Sequence, residues 1–424
     1  MEWALASVAV ALLAYAAVSG RLAGTSLTAP LVFTAFGLLV GTEALGFIDL
    51  SPLSDDVQTL AEATLAVVLF SDASRIDLRA LRGEAAVPAR LLGIGLPLTI
   101  ALGFVLAVPL FGGLGWAEAL LLAVILAPTD AALGQAVVML PRLPSRVRQS
   151  LNVESGLNDG ICVPLFLVVL AVASVESDRL GAAKAARVVG EQIGYGMLAG
   201  AVAGAAGAAA LLVAGRAAHV ESDWVEIVPF AAAALAWGIA HPIGGSGFIA
   251  AFVGGVVFRA LRRDSVGDVG HLIEEVGDGL GAVTFIVFGA VLLGPALADL
   301  TVAVVVYAVL SLTVIRMVPV AVALLGSGMR LPTVGFIGWF GPRGLASIVF
   351  ALMLEEDGGV THAETVMTTA FVTVGLSVVL HGLTAAPLAE RYADWFSTRA
   401  DEPTAETRPA PELRWRHQLG TRRA

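Results

Sequence analysis

Residues 120–138 read LLLAVILAPTDAALGQAVV, and this run decides the fold class. It is as apolar as a membrane span, yet Pro128, Thr129 and Asp130 lie at its centre. Pro128 removes a backbone donor and collides with the preceding turn, so the helix is expected to break there. A charge at the middle of a transmembrane helix costs at least about 2.5–3.5 kcal/mol. Irregular backbone at that depth persists only inside protein or beside a wet cavity. Two readings stay open. Either the freed carbonyls and Asp130 make a cation site, or Pro128 only kinks the helix and Asp130 pairs with a base elsewhere.

The rest of the chain supports a membrane setting. Of its 424 residues, 57% are hydrophobic and 14% charged, and the mean hydropathy is +0.86. A soluble domain carries about 25% charged residues, so this chain cannot hide its apolar surface in water-soluble cores. An all-α polytopic membrane protein follows, and a soluble enzyme is excluded. The 47 glycines fit close-packed transmembrane helices. A net charge of -10 argues against a nucleic-acid partner, and the lone Cys162 excludes a disulfide framework or a cysteine metal site.

A span needs about 20 mostly apolar residues. Thirteen segments meet that description, near 3–19, 27–47, 58–74, 88–111, 116–140, 147–174, 190–215, 224–240, 243–261, 272–294, 299–325, 331–354 and 364–388. The first has Glu2 and no basic residue ahead of it, so it reads as a retained helix rather than a signal peptide. Alternate loops hold Arg21, then Arg75, Arg79, Arg82 and Arg90, then Arg142, Arg146 and Arg148, then Arg216, then Arg259, Arg262 and Arg263, then Arg330. The intervening loops hold only Arg179, Lys184 and Arg187, and one carries Asp49, Asp55 and Asp56. The positive-inside rule then puts the N-terminus outside and the C-terminus in the cytoplasm, which an odd number of spans satisfies. Residues 1–390 form the expected transmembrane domain. Residues 391–424, with three prolines and mixed charge, read as a disordered cytoplasmic tail.

Two further segments put polar groups inside apolar runs. Residues 152–160 read NVESGLNDG. In a helix Ser155 and Asp159 share one face, and Glu154 and Asn158 the adjacent one. A carboxylate one turn from a hydroxyl offers the hard oxygens that a dehydrated alkali cation accepts; the alternative is a polar loop beside Arg146 and Arg148. Residues 332–354 read PTVGFIGWFGPRGLASIVFALML, a second broken span around Arg343. The two broken spans, fifth and twelfth, are seven apart, as expected for two inverted six-helix repeats joined by the seventh span. Interrupted helices at matching places in two halves are the best sequence pointer to a transporter's binding site. A buried Arg343 needs a partner, and Glu154 is the expected one, unless Arg343 reaches water from a helix end. Arg316 has no evident partner in the sequence, and His241, His362 and His381 fall near the ends of spans.

These stretches, APTDA at 127–131, ESGLNDG at 154–160 and GPRGLASIVFAL at 341–352, resemble the monovalent cation:proton antiporters of the NhaP type, which include the sodium/proton exchangers. The resemblance covers residues 1–390 and implies a core domain with broken, crossing helices that moves against a dimerisation domain in a homodimer. It implies that Asp159 takes either a cation or a proton, that Ser155, Asp130 and Thr129 complete the coordination shell, and that Glu154 and Arg343 form a structural ion pair. Asn158 stands where electrogenic relatives have a second aspartate, so the chain resembles the electroneutral branch. Many relatives have a glutamate within a phenylalanine-led motif in the third span; here Leu69-Phe70-Ser71-Asp72-Ala73 stands there, and Asp72 is either a pathway acid or a helix-end partner of Arg75.

One buried carboxyl couples two ions when cation and proton compete for it, since desolvation favours its neutral form and a bound cation its charged form. The expected function is exchange of Na+, or else Li+ or K+, for a proton across a prokaryotic cell membrane, serving pH homeostasis and needing no cofactor. A cation channel, or an intramembrane enzyme using Asp130 and Asp159 as an acid pair, are the rival readings. No phosphate-binding loop, histidine cluster or nucleophile motif supports the enzyme.

Overall fold

The computed structural model describes residues 2–22, 24–48, 50–51, 54–76, 86–134, 137, 140–176, 181–216, 222–262, 269–357, 360–399 and 405–406. Asp49, Arg79, Arg82, Arg179, Arg263 and most of the expected tail lie outside the described residues. All the regular elements described are helical. In chain order they are α1 (Glu2–Leu22), α2 (Ala29–Val40), α3 (Asp55–Arg75), α4 (Ala86–Leu110), α5 (Trp116–Ile125), α6 (Ser145–Glu176) and α7 (Ala182–Arg216). There follow α8 (Ser222–Ala240), α9 (Gly247–Leu261), α10 (His271–Ala298), α11 (Val302–Ala323), α12 (Leu331–Trp339), α13 (Leu345–Asp357) and α14 (Ala363–Ser397).

Each of the thirteen apolar segments overlaps a helix, but α5 covers only Trp116–Ile125 of the fifth and the twelfth is divided between α12 and α13. Eight helices are long and apolar enough to cross a membrane by themselves. The protein is an integral membrane protein.

α3, α7, α8, α9 and α10 pack as one group, and α4, α5, α11, α13 and α14 as another. α6 and α13 both lie against α3, and α10 lies against α14, so these helices carry the contact between the groups. In the first group the backbones come very close. A Cβ on Gly200 or Gly204 of α7 would strike the carbonyls of Ala250 or Gly254 of α9. The glycine-rich stretch of α7 therefore sets the distance between those helices, the use to which small residues are put where lipid gives no hydrophobic drive.

α14 runs beyond the expected boundary at 390. Its last turns carry a ladder in which the Tyr392 ring stacks on Phe336 at 4.3 Å and packs against Trp395 at 5.5 Å. Glu406 is buried, accepting from the Arg330 backbone N–H at 2.7 Å and the Thr333 hydroxyl at 2.8 Å. Part of the segment read as tail thus packs on the membrane domain.

Candidate functional site: two broken helices crossing at α6

The first break behaves as Pro128 dictates. α5 stops at Ile125, and residues 126–130 leave the helix. The second break lies between α12 and α13: Phe340 N–H still bonds to the Phe336 carbonyl and the Gly344 carbonyl accepts from Ile348 N–H, but residues 340–344 lie outside both helices. The two breaks cross and bond backbone to backbone, the Asp130 N–H donating to the Pro342 carbonyl at 2.8 Å. Gly344 allows the approach: a Cβ there would collide with the Asp130 carboxylate.

At the crossing each break supplies what the other's helix end lacks. A helix exposes unpaired carbonyls at its C-terminus and unpaired N–H groups at its N-terminus. Arg343, fully buried, donates to the carbonyls of Ala127 at 3.0 Å and Pro128 at 3.2 Å, just past the end of α5. Asp130 accepts from Leu345 N–H at 2.9 Å at the start of α13, and from Ala132 N–H at 2.7 Å. Cation at a C-terminus and anion at an N-terminus is also the arrangement the helix dipoles favour. The kink-only reading of Pro128 fails, because Asp130 holds backbone N–H groups and not a basic side chain.

Residues 152–160 are helical, inside α6, so the polar-loop reading also fails. Ser155 and Asn158 both reach the first break. The Ser155 hydroxyl donates to the Thr129 carbonyl, and Asn158 Nδ2 donates to Thr129 Oγ1 at 2.7 Å. Thr129 is thereby held at its backbone and its side chain by one face of α6. Asp159 lies one turn beyond Ser155 and is 8% exposed. Its Oδ1 atom is buried and accepts no hydrogen bond among the described residues. Asp130 and Asp72 lie within electrostatic range of Asp159. Asp72, on α3, packs on α6 at Gly156, where an added Cβ would sit 3.4 Å from its own Cβ. Arg75 forms its ion pair with Glu274 of α10.

Beside this cluster is a small cleft, about 20 Å³ in volume, lined by Thr129, Asp130, Leu151, Asn152, Ser155, Phe340 and Pro342.

One expected contact is wrong. Glu154 does not pair with Arg343; it binds Arg316 of α11 through both oxygens, at 2.5 and 2.8 Å. Both side chains are 4% exposed. Glu154 and Arg343 share the neighbourhood, but the guanidinium of Arg343 turns to backbone carbonyls, Ser311 included at 3.4 Å. Arg316, left without a partner in the sequence reading, is therefore part of the framework. Its signal was present: an arginine inside an apolar run costs enough to require a buried acid. Ser377 and His381 were missed as well. The helix continues to Ser397, so His381 lies well inside α14 instead of near its end.

The described geometry puts Thr129, Asp130, Ser155, Asn158 and Asp159 together, with Asp72 alongside. The profile of the transmembrane sodium/hydrogen exchangers matches residues 8–391. The chain belongs to that family. Among its relatives, the K(+)/H(+) antiporter NhaP of Alkalimonas amylolytica is 26% identical over 370 residues, which are 85% of this chain and 61% of that protein. The K(+)/H(+) antiporter NhaP2 of Shewanella oneidensis is 27% identical over 375 residues, 85% of this chain and 62% of that one. The chain spans about three-fifths of the length of these curated relatives. The sodium proton antiporter MjNhaP1 of Methanocaldococcus jannaschii, in its structure at pH 8, superposes with a TM-score of 0.71 at 18% identity. That superposition covers 92% of this chain and 98% of the other. The exchanger fold is shared.

Proposed function

We propose that this exchanger-family chain trades one monovalent cation for one proton at Asp159. The observation that carries the reading is the buried Asp159 Oδ1, with no hydrogen-bond partner among the described residues, one helical turn from Ser155, whose hydroxyl meets Thr129 at a crossing of broken helices. Backbone oxygens, a hydroxyl and a carboxylate are the hard ligands an alkali cation needs. A proton on Asp159 and a cation in the shell exclude one another, which is the coupling. Movement of one helix group against the other, with α6 and α13 at the contact, supplies alternating access.

Asp130 serves in this reading as a fixed anion that holds Thr129 in place, and Asp72 as an acid on the path of the ion. The arginine-bearing end of α6 faces the cytoplasm, and the functional unit is a homodimer in a prokaryotic cell membrane. Sodium is the first candidate cargo, in keeping with the structural neighbour. The curated relatives, named as K(+)/H(+) antiporters, favour potassium as a second reading.

Reconstitution into proteoliposomes tests this directly. A gradient of sodium, potassium or lithium should drive proton movement, which a channel or an intramembrane enzyme would not do. Asp159→Asn keeps the side-chain volume but cannot exchange a proton for a cation, so it should abolish flux while the protein stays folded. Cation-driven proton flux near the wild-type rate in that variant would remove Asp159 from the mechanism. Asp130→Asn should also be severe, because an amide cannot accept with both groups from the start of α13 and from the turn at Ala132.

A further inference from the structure

We propose that Ser377 and His381, one turn apart on α14, act as a splint that sets the position of Thr129 and thereby the affinity of the cation site without touching the cation. The inference rests on the reading above, in which Thr129 oxygens belong to the coordination shell. Both splint residues are fully buried. They grip the second break at its two ends. The Arg343 backbone N–H donates to Ser377 Oγ at 2.7 Å, and His381 Nε2 lies 2.9 Å from the Trp339 carbonyl. A carbonyl only accepts, so Nε2 is the protonated nitrogen. Nδ1 is then the acceptor: the Ser377 hydroxyl donates to it at 3.2 Å and ties the imidazole to Ser377, while the Ser377 carbonyl, 3.0 Å away, is a neighbour with no proton to share.

The break is the part of the chain that most needs such support. Between the Phe340 N–H and the Gly344 carbonyl, which still bond to α12 and α13, the backbone groups of the break must find other partners at membrane depth. Trp339 is fixed twice more to α14, by its indole N–H on Thr384 Oγ1 at 3.0 Å and by its ring against His381 at 5.2 Å. The consequences reach Thr129 through its two chain neighbours. Arg343 holds the Pro128 carbonyl, and the Pro342 carbonyl holds the Asp130 N–H. Residues 342 and 343 thus fix the peptides on both sides of Thr129, and the splint fixes residues 342 and 343. His381 and Ser377 are positioning residues.

The test is exchange in proteoliposomes with sodium and, separately, potassium, normalised to folded protein by gel filtration. Ser377→Ala and His381→Ala should each raise the apparent KM for sodium about fivefold, the effect of one lost hydrogen bond, with little change in maximal rate. His381→Gln, which returns an N–H to the Trp339 carbonyl, should restore the KM to within about twofold of wild type. A merely structural role would lower yield or melting temperature and leave KM alone. Unchanged KM in both alanine variants overturns the proposal; if His381→Ala does not fold, Ser377→Ala, which deletes only a hydroxyl, decides. Wild-type protein without exchange, or an active Asp159→Asn, would sink the antiport reading and this inference with it. With those controls in order, an unmoved KM sinks the splint alone.

Discussion

Glu154 and Arg316 show how the interior of this protein handles charge residue by residue. Each is an ion that costs several kcal/mol to bury alone, and each meets the other through two bonds at 2.5 and 2.8 Å. Truncating one partner strands the other, so Glu154→Gln or Arg316→Met should each cost roughly 3–5 kcal/mol, and the double variant less than the sum. Thermal unfolding in detergent reads this cycle, and strictly additive losses would show that the pair does not act as a unit. The same residues mark what a sequence can convey. Asp130, Asp159 and Glu154 stand out because a charge in an apolar run is visible in one dimension. The partner of Glu154 was not, because Arg316 and Arg343 both sit in apolar spans and only packing decides between them. Arg343 drew the assignment through its place beside the Gly341-Pro342 break, yet that break is why its guanidinium goes to carbonyls.

At the scale of elements, the two breaks were legible because proline and glycine punctuate helices by a local mechanism that needs no tertiary information. Their crossing was not legible, since it rests on bonds between residues far apart in the chain and on what Gly344 lacks. A Cβ at that position would meet the Asp130 carboxylate, which is itself pinned by backbone N–H groups and cannot retreat. Gly344→Ala should therefore push the breaks apart, at about 1–3 kcal/mol of overpacking, and reduce exchange by at least about tenfold. Exchange per folded molecule measures it, and wild-type activity in Gly344→Ala would mean that the crossing tolerates a wider gap. The end of α14 was misplaced for a related reason. Charges at Arg391 and Asp394 look like the start of a tail, but the ladder of Phe336, Tyr392 and Trp395 carries the helix on to Ser397. Aromatic packing between distant elements leaves no local trace.

Across the whole molecule, the buried charges around the crossing pair off and leave few free to change. Glu154 is matched by Arg316, while Asp130 and Arg343 occupy opposite helix ends of the same crossing. Asp159 remains as the buried carboxyl whose Oδ1 is not engaged among the described residues. If it alone changes protonation, each cycle carries one monovalent cation one way and one proton the other, and no net charge crosses. A membrane potential does work of about 2.3 kcal/mol per elementary charge per 100 mV, which here multiplies zero. Asn158 is consistent with this, because its amide spends a donor on Thr129 and has no proton to exchange. The competing source of a second proton is Asp72, which packs on α6 at Gly156 within electrostatic range of Asp159. Exchange in proteoliposomes should therefore ignore a potassium diffusion potential set with valinomycin in sodium-driven assays, while responding to either ion gradient. A potential of either sign that shifts the equilibrium sodium gradient at fixed pH difference would show a second charge moving. If Asp72→Asn then abolished that shift, Asp72 would be the group that carries it.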